Sequence, residues 1–227
     1  MLIRGAAVLA LVLAAGLLLA GCATYPPGTY FPAAGDPATV RMADSLYRAA
    51  RAGGDDPTRY SFAFIKNPTA AAYSDEDATF YATDGLMRLE PAVLDGVVAH
   101  EVAHEVLGHV GNRRKLSIAL TSGFAVLGVL APGAGLLDFI VNPVVVRAFG
   151  RQQELEADQK ALEILTAMGY SAPRRTLARA LQAVDGHVPK PKEGPDGLLA
   201  THPALDDRLR ALGPLEPEPV AQRVPSK

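Results

Sequence analysis

The stretch VVAHEVAHEVLGH, residues 97–109, sets three histidines and two glutamates among valines. A solvated helix would carry fewer valines, and a plain core helix would carry fewer ionisable groups. His100 and His104 are four residues apart, so on an α-helix their rings lie about 40° apart on one face. Neutral imidazoles at this spacing can bind one zinc ion, and Glu101 beside them can take a proton from water that the metal activates. The stretch therefore predicts a largely buried helix that carries a zinc site, with Glu101 as general base.

His109 is the third histidine of this stretch, and its position argues against a role as a ligand. On a continuous helix it would lie about 180° from His100, facing away from a shared metal. Its distance from His104 also departs from the H-E-x-x-H-x-x-G-x-x-H pattern. We expect His109 to be a structural residue.

A further metal ligand is predicted in RQQELEADQKALEILTAMG, residues 151–169. On a helical wheel, two carboxylates share an apolar stripe of roughly 100° of arc, where an unpaired charge would be costly. The stripe consists of Glu154, Asp158, Ala161, Leu162 and Leu165. A metal and a histidine N–H would satisfy both groups, so we expect Glu154 to bind zinc and Asp158 to orient a ligating imidazole. The alternative is a surface helix whose apolar stripe merely has polar ends.

The N-terminus has the features of a secretory signal, with a single Arg4 followed by a short apolar run. Cys22, the one cysteine of the chain, follows Leu-Ala-Gly and resembles the lipidated cysteine of the bacterial lipobox. We interpret residues 1–21 as a lipoprotein signal peptide and residues 22–36 as a Pro/Gly-rich tether. Because the next residue is Ala rather than Asp, the sorting rule of Gram-negative lipoproteins favours the periplasmic face of the outer membrane. The alternative is an ordinary signal peptide with an incidental cysteine.

The rest of the chain predicts one α+β domain at residues 37–213, mainly helical with a small β-sheet next to the histidine helix. A Pro-rich tail at residues 214–227 is expected to be disordered. The net charge of −2 gives no indication of a nucleic-acid partner. Helices are expected at 37–52, from Pro91 through the histidine stretch, at 151–168, at 171–184 and over PALDDRLRAL, and strands at 59–67 and 78–86.

Residues 116–149 hold a second apolar region between the two halves of the predicted site. Pro132, Gly133 and Gly135 divide it into halves of about 15 residues, which are shorter than the about 20 that a membrane span needs. One interpretation is a pair of core helices closing over the zinc cleft. The other is a mobile apolar lid that contacts substrate or lipid.

H-E-V-A-H at 100–104 followed by E-L-E-A-D at 154–158 resembles the zinc metallopeptidase family of the HtpX and CAAX prenyl protease type, which are gluzincins. The resemblance covers roughly residues 37–212. It implies a zincin-like fold, one Zn²⁺ per chain and the hydrolysis of peptide bonds, in a small bacterial lipoprotein member. The chain departs from the family at AYSDEDATFYATDG, which is acidic where relatives have a Gly-rich turn. Further matching segments are Asn67-Pro68, Asp84-Gly85-Leu86-Met87, Gly169-Tyr170 and Thr201-His202-Pro203 with Arg208.

The resemblance also places His202 in a segment that returns towards the active site. There its imidazole could donate a hydrogen bond to the developing oxyanion. It could instead occupy the open position on zinc and hold the enzyme inactive.

These features predict a lipid-anchored periplasmic endopeptidase acting on polypeptides, such as misfolded or envelope proteins. An extended substrate is expected to add as a β-strand along residues 78–83. The alternative is a zinc-stabilised chaperone or binding module with little turnover.

Overall fold

The structure is a computed structural model that describes residues 25–75, 78–112, 115–116, 119–120, 122, 150–185 and 205–217. Cys22, His202 and residues 123–149, on which several predictions depend, lie outside this set. Within the described part of the chain, no helix combines the length and the hydropathy needed to cross a membrane.

The histidine stretch lies on the central helix of the fold, α3. This helix begins with Pro91 in its first turn, where a missing backbone N–H costs nothing. All residues from Leu94 to His104 are buried, because helices pack against α3 on several sides and β3 approaches it as well. The predicted buried helix is confirmed. The α-helices that have complete bounds within the described residues are α1 (Pro37–Gly53), α2 (Asp84–Met87), α3 (Pro91–Val106), α4 (Arg151–Ala167), α5 (Pro173–Asp185) and α6 (Leu205–Leu212).

A four-stranded mixed sheet lies beside α3, in the order β1-β2-β4-β3. The two inner strands, β2 and β4, run parallel, and the outer strands are antiparallel to them. The sheet and the surrounding helices confirm the predicted α+β architecture. The strands are β1 (Thr29–Tyr30), β2 (Ser61–Ile65), β3 (Ala72–Asp75) and β4 (Thr79–Thr83).

The strand order corrects the expected place of substrate addition. Residues 79–83 form β4, which is paired on both sides, with β2 and with β3. Its backbone groups are therefore committed to the sheet, and an extended peptide cannot add along residues 78–83. The edge strand near the metal helix is β3, which contacts α3.

The two faces of the sheet belong to different hydrophobic clusters. Phe80 and Ala82 of β4 and Ala72 of β3 belong to the main core, together with α1, α3, α4 and α5. Tyr81, between Phe80 and Ala82, belongs to a separate small cluster with Ala63 and Ile65. This alternation follows from the two-residue period of a β-strand.

Residues of both segments that flank the predicted domain contact the domain. Thr29 and Tyr30, within the predicted tether, form β1, and the Tyr30 hydroxyl donates to Asp84. Glu216, within the predicted tail, accepts hydrogen bonds from the backbone N–H groups of Arg174 and Arg175, at 3.0 and 2.9 Å. These N–H groups belong to the first turn of α5, so Glu216 caps that helix.

Candidate metal centre

Three buried side chains from two helices converge at one point. His100 and His104 extend from α3, one helical turn apart, and Glu154 extends from the first turn of α4. The Nε2 atoms of the two histidines are 3.1 Å apart. The Glu154 carboxylate oxygens lie 3.4 Å from Nε2 of His100 and 3.5 Å from Nε2 of His104. The three groups could together hold one metal ion.

The spacing of these atoms fits zinc. Ligand atoms bound at about 2.0–2.1 Å in a tetrahedron are about 3.3–3.4 Å from one another. The separation of 3.1 Å between the two Nε2 atoms, and the distances of 3.4 and 3.5 Å from them to the two oxygens of Glu154, are close to that value. Two imidazoles and one carboxylate also form the ligand set of catalytic zinc sites, which leave a fourth position for water or substrate. The predicted site of His100, His104 and Glu154 therefore has both the chemistry and the geometry for Zn²⁺.

Asp158 lies one turn after Glu154 on α4, against the other nitrogen of His100. Its Oδ1 is 3.1 Å from Nδ1 of His100, where it can accept that N–H and direct Nε2 towards the metal position. Burial alone would lower the pKa of His100, but Asp158 and Glu154 outweigh it and raise the pKa to about 9. A metal at Nε2 would compete with a proton for this imidazole, because zinc binds the neutral form.

Arg208 of α6 is the main residue of the site to which sequence reasoning assigned no role. Its guanidinium is buried and forms two hydrogen bonds with Asp158, from Nε at 2.8 Å and from Nη2 at 2.6 Å. Its Nη1 lies 2.8 Å from Oε2 of Glu154. Burial alone would lower the pKa of Arg208, but Asp158 and Glu154 raise it above its usual value. Arg208 thus provides positive charge to two buried carboxylates and connects α6 to the metal centre.

The only sequence signal for Arg208 was its place in the late Thr-His-Pro…Arg segment. The helical wheel of α4 assigned the two carboxylates to a metal and a histidine, and did not require a guanidinium. His202 of the same segment lies outside the described residues, so its two alternative roles stay predictions.

His109 does not face away from the site, contrary to the expectation from a continuous helix. Helix α3 ends at Val106, and Gly108 has φ +71°, a left-handed conformation that suits glycine. The turn brings Nδ1 of His109 to 3.0 Å from Nδ1 of His104. On the other side of its ring, Nε2 lies 3.4 Å from Glu156, whose side chain is 47% exposed. His109 is therefore a buried support for His104.

Glu101 is buried in the same turn of α3 as the histidines, next to the edge of the sheet. The backbone N–H of Ser74 in β3 donates to Oε2 of Glu101 at 3.1 Å. A carboxylate in this position has the chemistry of a general base, and its contact with β3 connects the metal helix to the edge strand. Sequence reasoning missed Ser74, because β3 was not recognised as a separate strand.

Comparison with known proteins agrees with this geometry. The chain is 24% identical over 195 residues to the mitochondrial metalloendopeptidase OMA1 of Schizosaccharomyces pombe, over 82% of this chain and 56% of that protein. It is 27% identical over 189 residues to protease HtpX of Ectopseudomonas mendocina and 26% identical to that of Pseudomonas aeruginosa, in each case over 66% of this chain and 63% of the relative. The chain thus spans roughly three fifths of the length of these relatives. Residues 39–216, which include the whole metal centre, match the model of peptidase family M48, and the chain belongs to that family.

Proposed function

We propose that this protein is a zinc-dependent endopeptidase. The observation that carries the proposal is the triangle of His100, His104 and Glu154 at zinc-ligand separations, with Glu101 buried in the same helical turn. A purely structural zinc would have no need of a carboxylate at position 101. The M48 family match and the names of the relatives, a metalloendopeptidase and a protease, support the same activity.

Different side chains of the protein have different roles in peptide hydrolysis. Zinc bound at the triangle would supply a Lewis acid that polarises water and the scissile carbonyl. Glu101 takes the proton of the attacking water and gives it to the leaving amine nitrogen. Asp158 keeps the His100 ring in position, and Arg208 holds Asp158 through two hydrogen bonds. These supports fix the geometry before a substrate arrives.

The substrate is an extended polypeptide that adds to the outer edge of β3. Alternate residues of this segment form the hydrogen bonds to β4, and Ala71 is one of them, since its carbonyl accepts from the N–H of Thr83. The backbone groups of Ala72 and Ser74 therefore point away from β4. An added strand would run beside α3, with its backbone next to Glu101. Segments without stable structure of their own can adopt this conformation, which favours misfolded envelope proteins as substrates.

Denatured casein with and without a chelator tests the activity. Wild-type protein should cleave casein, lose the activity in the chelator and regain it when zinc is restored. Glu101→Gln should bind zinc as the wild type does and cleave at least a hundredfold more slowly, since it loses the base and keeps all three ligands. Casein that binds the wild type and stays intact would favour the chaperone alternative and contradict the proposal.

We also propose that the protein is anchored to the periplasmic face of the bacterial outer membrane by lipid on Cys22. The proposal is supported by the signal-like residues 1–21 and the Leu-Ala-Gly-Cys sequence at their end. Cys22→Ser should release the protein into the soluble periplasmic fraction or leave it unprocessed. Recovery of the variant in the outer membrane on cell fractionation would disprove the anchor.

A further inference from the structure

Ser74 combines two features that stability alone does not explain. The residue is 5% exposed, and its Oγ has no hydrogen-bond partner within the described part of the chain. Its backbone N–H holds Glu101 at 3.1 Å. A buried hydroxyl without a partner destabilises the fold, and alanine at this position would avoid that cost.

The strand geometry shows where the hydroxyl lies. Ser74 is opposite Phe80 in the register of β3 with β4, and opposite residues in an antiparallel pair point to the same face. Phe80 is in the main core, on the side of the sheet where α3 packs. Ala72, two residues earlier, occupies the same face as a buried alanine. Within the part of the chain that the structure describes, the Ser74 hydroxyl is therefore a polar group without a hydrogen-bond partner, on the same face of the sheet as Ala72 and Phe80. It belongs to the residue whose amide donates to the general base.

The amide of Ser74 has two competing uses. It points outwards from the edge of the sheet, and in this structure it donates to Oε2 of Glu101. A peptide that pairs with the same edge needs outward amides for its own carbonyls. When a substrate takes the Ser74 N–H, Glu101 loses this hydrogen bond at the moment it must accept a proton.

We propose that the Ser74 hydroxyl is a positioning group for Glu101, which replaces the backbone N–H when a substrate strand is bound. The hydroxyl belongs to the same residue, and rotation about a single side-chain bond redirects its O–H. It donates a hydrogen bond to the Glu101 carboxylate and keeps its own proton, so the proton from water still goes to Glu101. Without substrate, the Ser74 N–H donates to Oε2 of Glu101, and the Ser74 hydroxyl has no hydrogen-bond partner among the residues that the structure describes. This inference rests on the proposed peptidase activity.

Removal of the hydroxyl tests this role, with labelled denatured casein as the probe. Ser74→Ala should lower kcat about tenfold and leave KM and zinc affinity within about twofold of the wild type, since neither the substrate edge nor the ligands change. Its unfolding temperature should equal or exceed that of the wild type, because an unsatisfied buried group is removed. Ser74→Thr, which keeps a hydroxyl, should restore most of kcat.

Thr39 offers a matched control. Its Oγ1 is the other buried side-chain oxygen without a partner in the described part of the chain, and it lies on α1, outside the metal centre. Thr39→Val should change unfolding temperature in the same direction as Ser74→Ala and leave kcat unaltered.

Three results would overturn the role of Ser74 while the peptidase proposal stands. The first is an unchanged kcat with unchanged KM in Ser74→Ala, the second is an unchanged kcat with raised KM, and the third is a clear loss of stability, which would show that the hydroxyl has a partner in the resting fold. A zinc-loaded wild type that does not cleave casein would instead reject the peptidase proposal, and the role of Ser74 with it.

Discussion

His109 shows how one residue's backbone conformation changes the role of the next. Gly108 adopts φ +71°, and the chain turns back after α3. His109 then lies between His104 and the half-exposed Glu156, with 3.0 Å between the Nδ1 atoms of the two histidines. Burial lowers the pKa of His109 below its usual value, although Glu156 opposes this. A neutral His109 can accept the Nδ1–H of His104, which leaves Nε2 of His104 as the metal-binding atom.

Replacement of His109 by Phe should therefore weaken zinc binding about 10–100-fold, because the ring volume stays but the support of His104 is lost. Competitive titration against a chromogenic chelator measures this affinity. Glu156→Ala is the control. Its carboxylate is half exposed and water can replace it, so zinc affinity should change less than about fivefold. Equal effects of the two variants would show that the His104–His109 contact contributes nothing to the metal site.

The contact between α3 and α5 depends on a glycine inside a helix. Gly96 is buried in α3, four residues before His100. A Cβ atom at this position would be 2.7 Å from Cβ of Ala180 and 3.2 Å from the carbonyl oxygen of Thr176, both in α5. The backbones of the two helices are therefore too close for any side chain at this position. This close packing positions α3, which carries both histidines, against the C-terminal part of the domain.

Gly96→Ala should destabilise the protein by about 1–3 kcal/mol, because overpacking outweighs the higher helix propensity of alanine. Urea unfolding followed by circular dichroism measures the loss. Gly111 is a matched glycine in the short helical stretch at 109–112, where a Cβ atom would meet no atom of the described residues within 4 Å beyond its own chain neighbours and helix backbone. Gly111→Ala should leave stability unchanged or raise it by up to about 1 kcal/mol. The same stability in both variants would mean that α3 and α5 separate at no cost.

In the domain as a whole, the metal centre connects elements that are distant in the chain. His100 and His104 come from α3, Glu154 and Asp158 from α4, and Arg208 from α6. A ligand that joins these helices in the folded state and has no such site in the unfolded chain stabilises the fold by mass action. Zinc should therefore act as a link between α3, which carries His100 and His104, and α4, which carries Glu154.

Removal of zinc should lower the unfolding temperature of the wild type. A free zinc concentration of about 100 times the Kd adds about 2.7 kcal/mol of stability, which is about 5–10 °C for a domain of this size. Differential scanning fluorimetry with and without a chelator measures the shift. Glu154→Ala should show little or no shift in unfolding temperature when zinc is removed. A full shift in that variant would place the third ligand elsewhere in the chain.

The site residues and the helices could be predicted from the sequence because they depend on residues that are close together within one helix. The pitch of an α-helix alone places His100 beside His104 and Glu154 beside Asp158, so both halves of the site follow from residue spacing. The mainly helical α+β fold was predictable for the same reason, since the hydrophobic pattern marks each helix locally. A buried pair of carboxylates also requires partners, which indicated a metal before any contact was known.

Strand order and the supports of the site were not predictable in this way, because they depend on contacts between distant parts of the chain. The two-residue period of β4 is the same for an edge strand and an inner strand, and pairing with β3 and β2 is what places it inside the sheet. Arg208 is 50 residues from Asp158 and 108 from His100 in the chain. Its guanidinium can be buried only where folded helices bring carboxylates together, since the cost of removing its charge from water is offset by those partners alone. No local pattern contains that information.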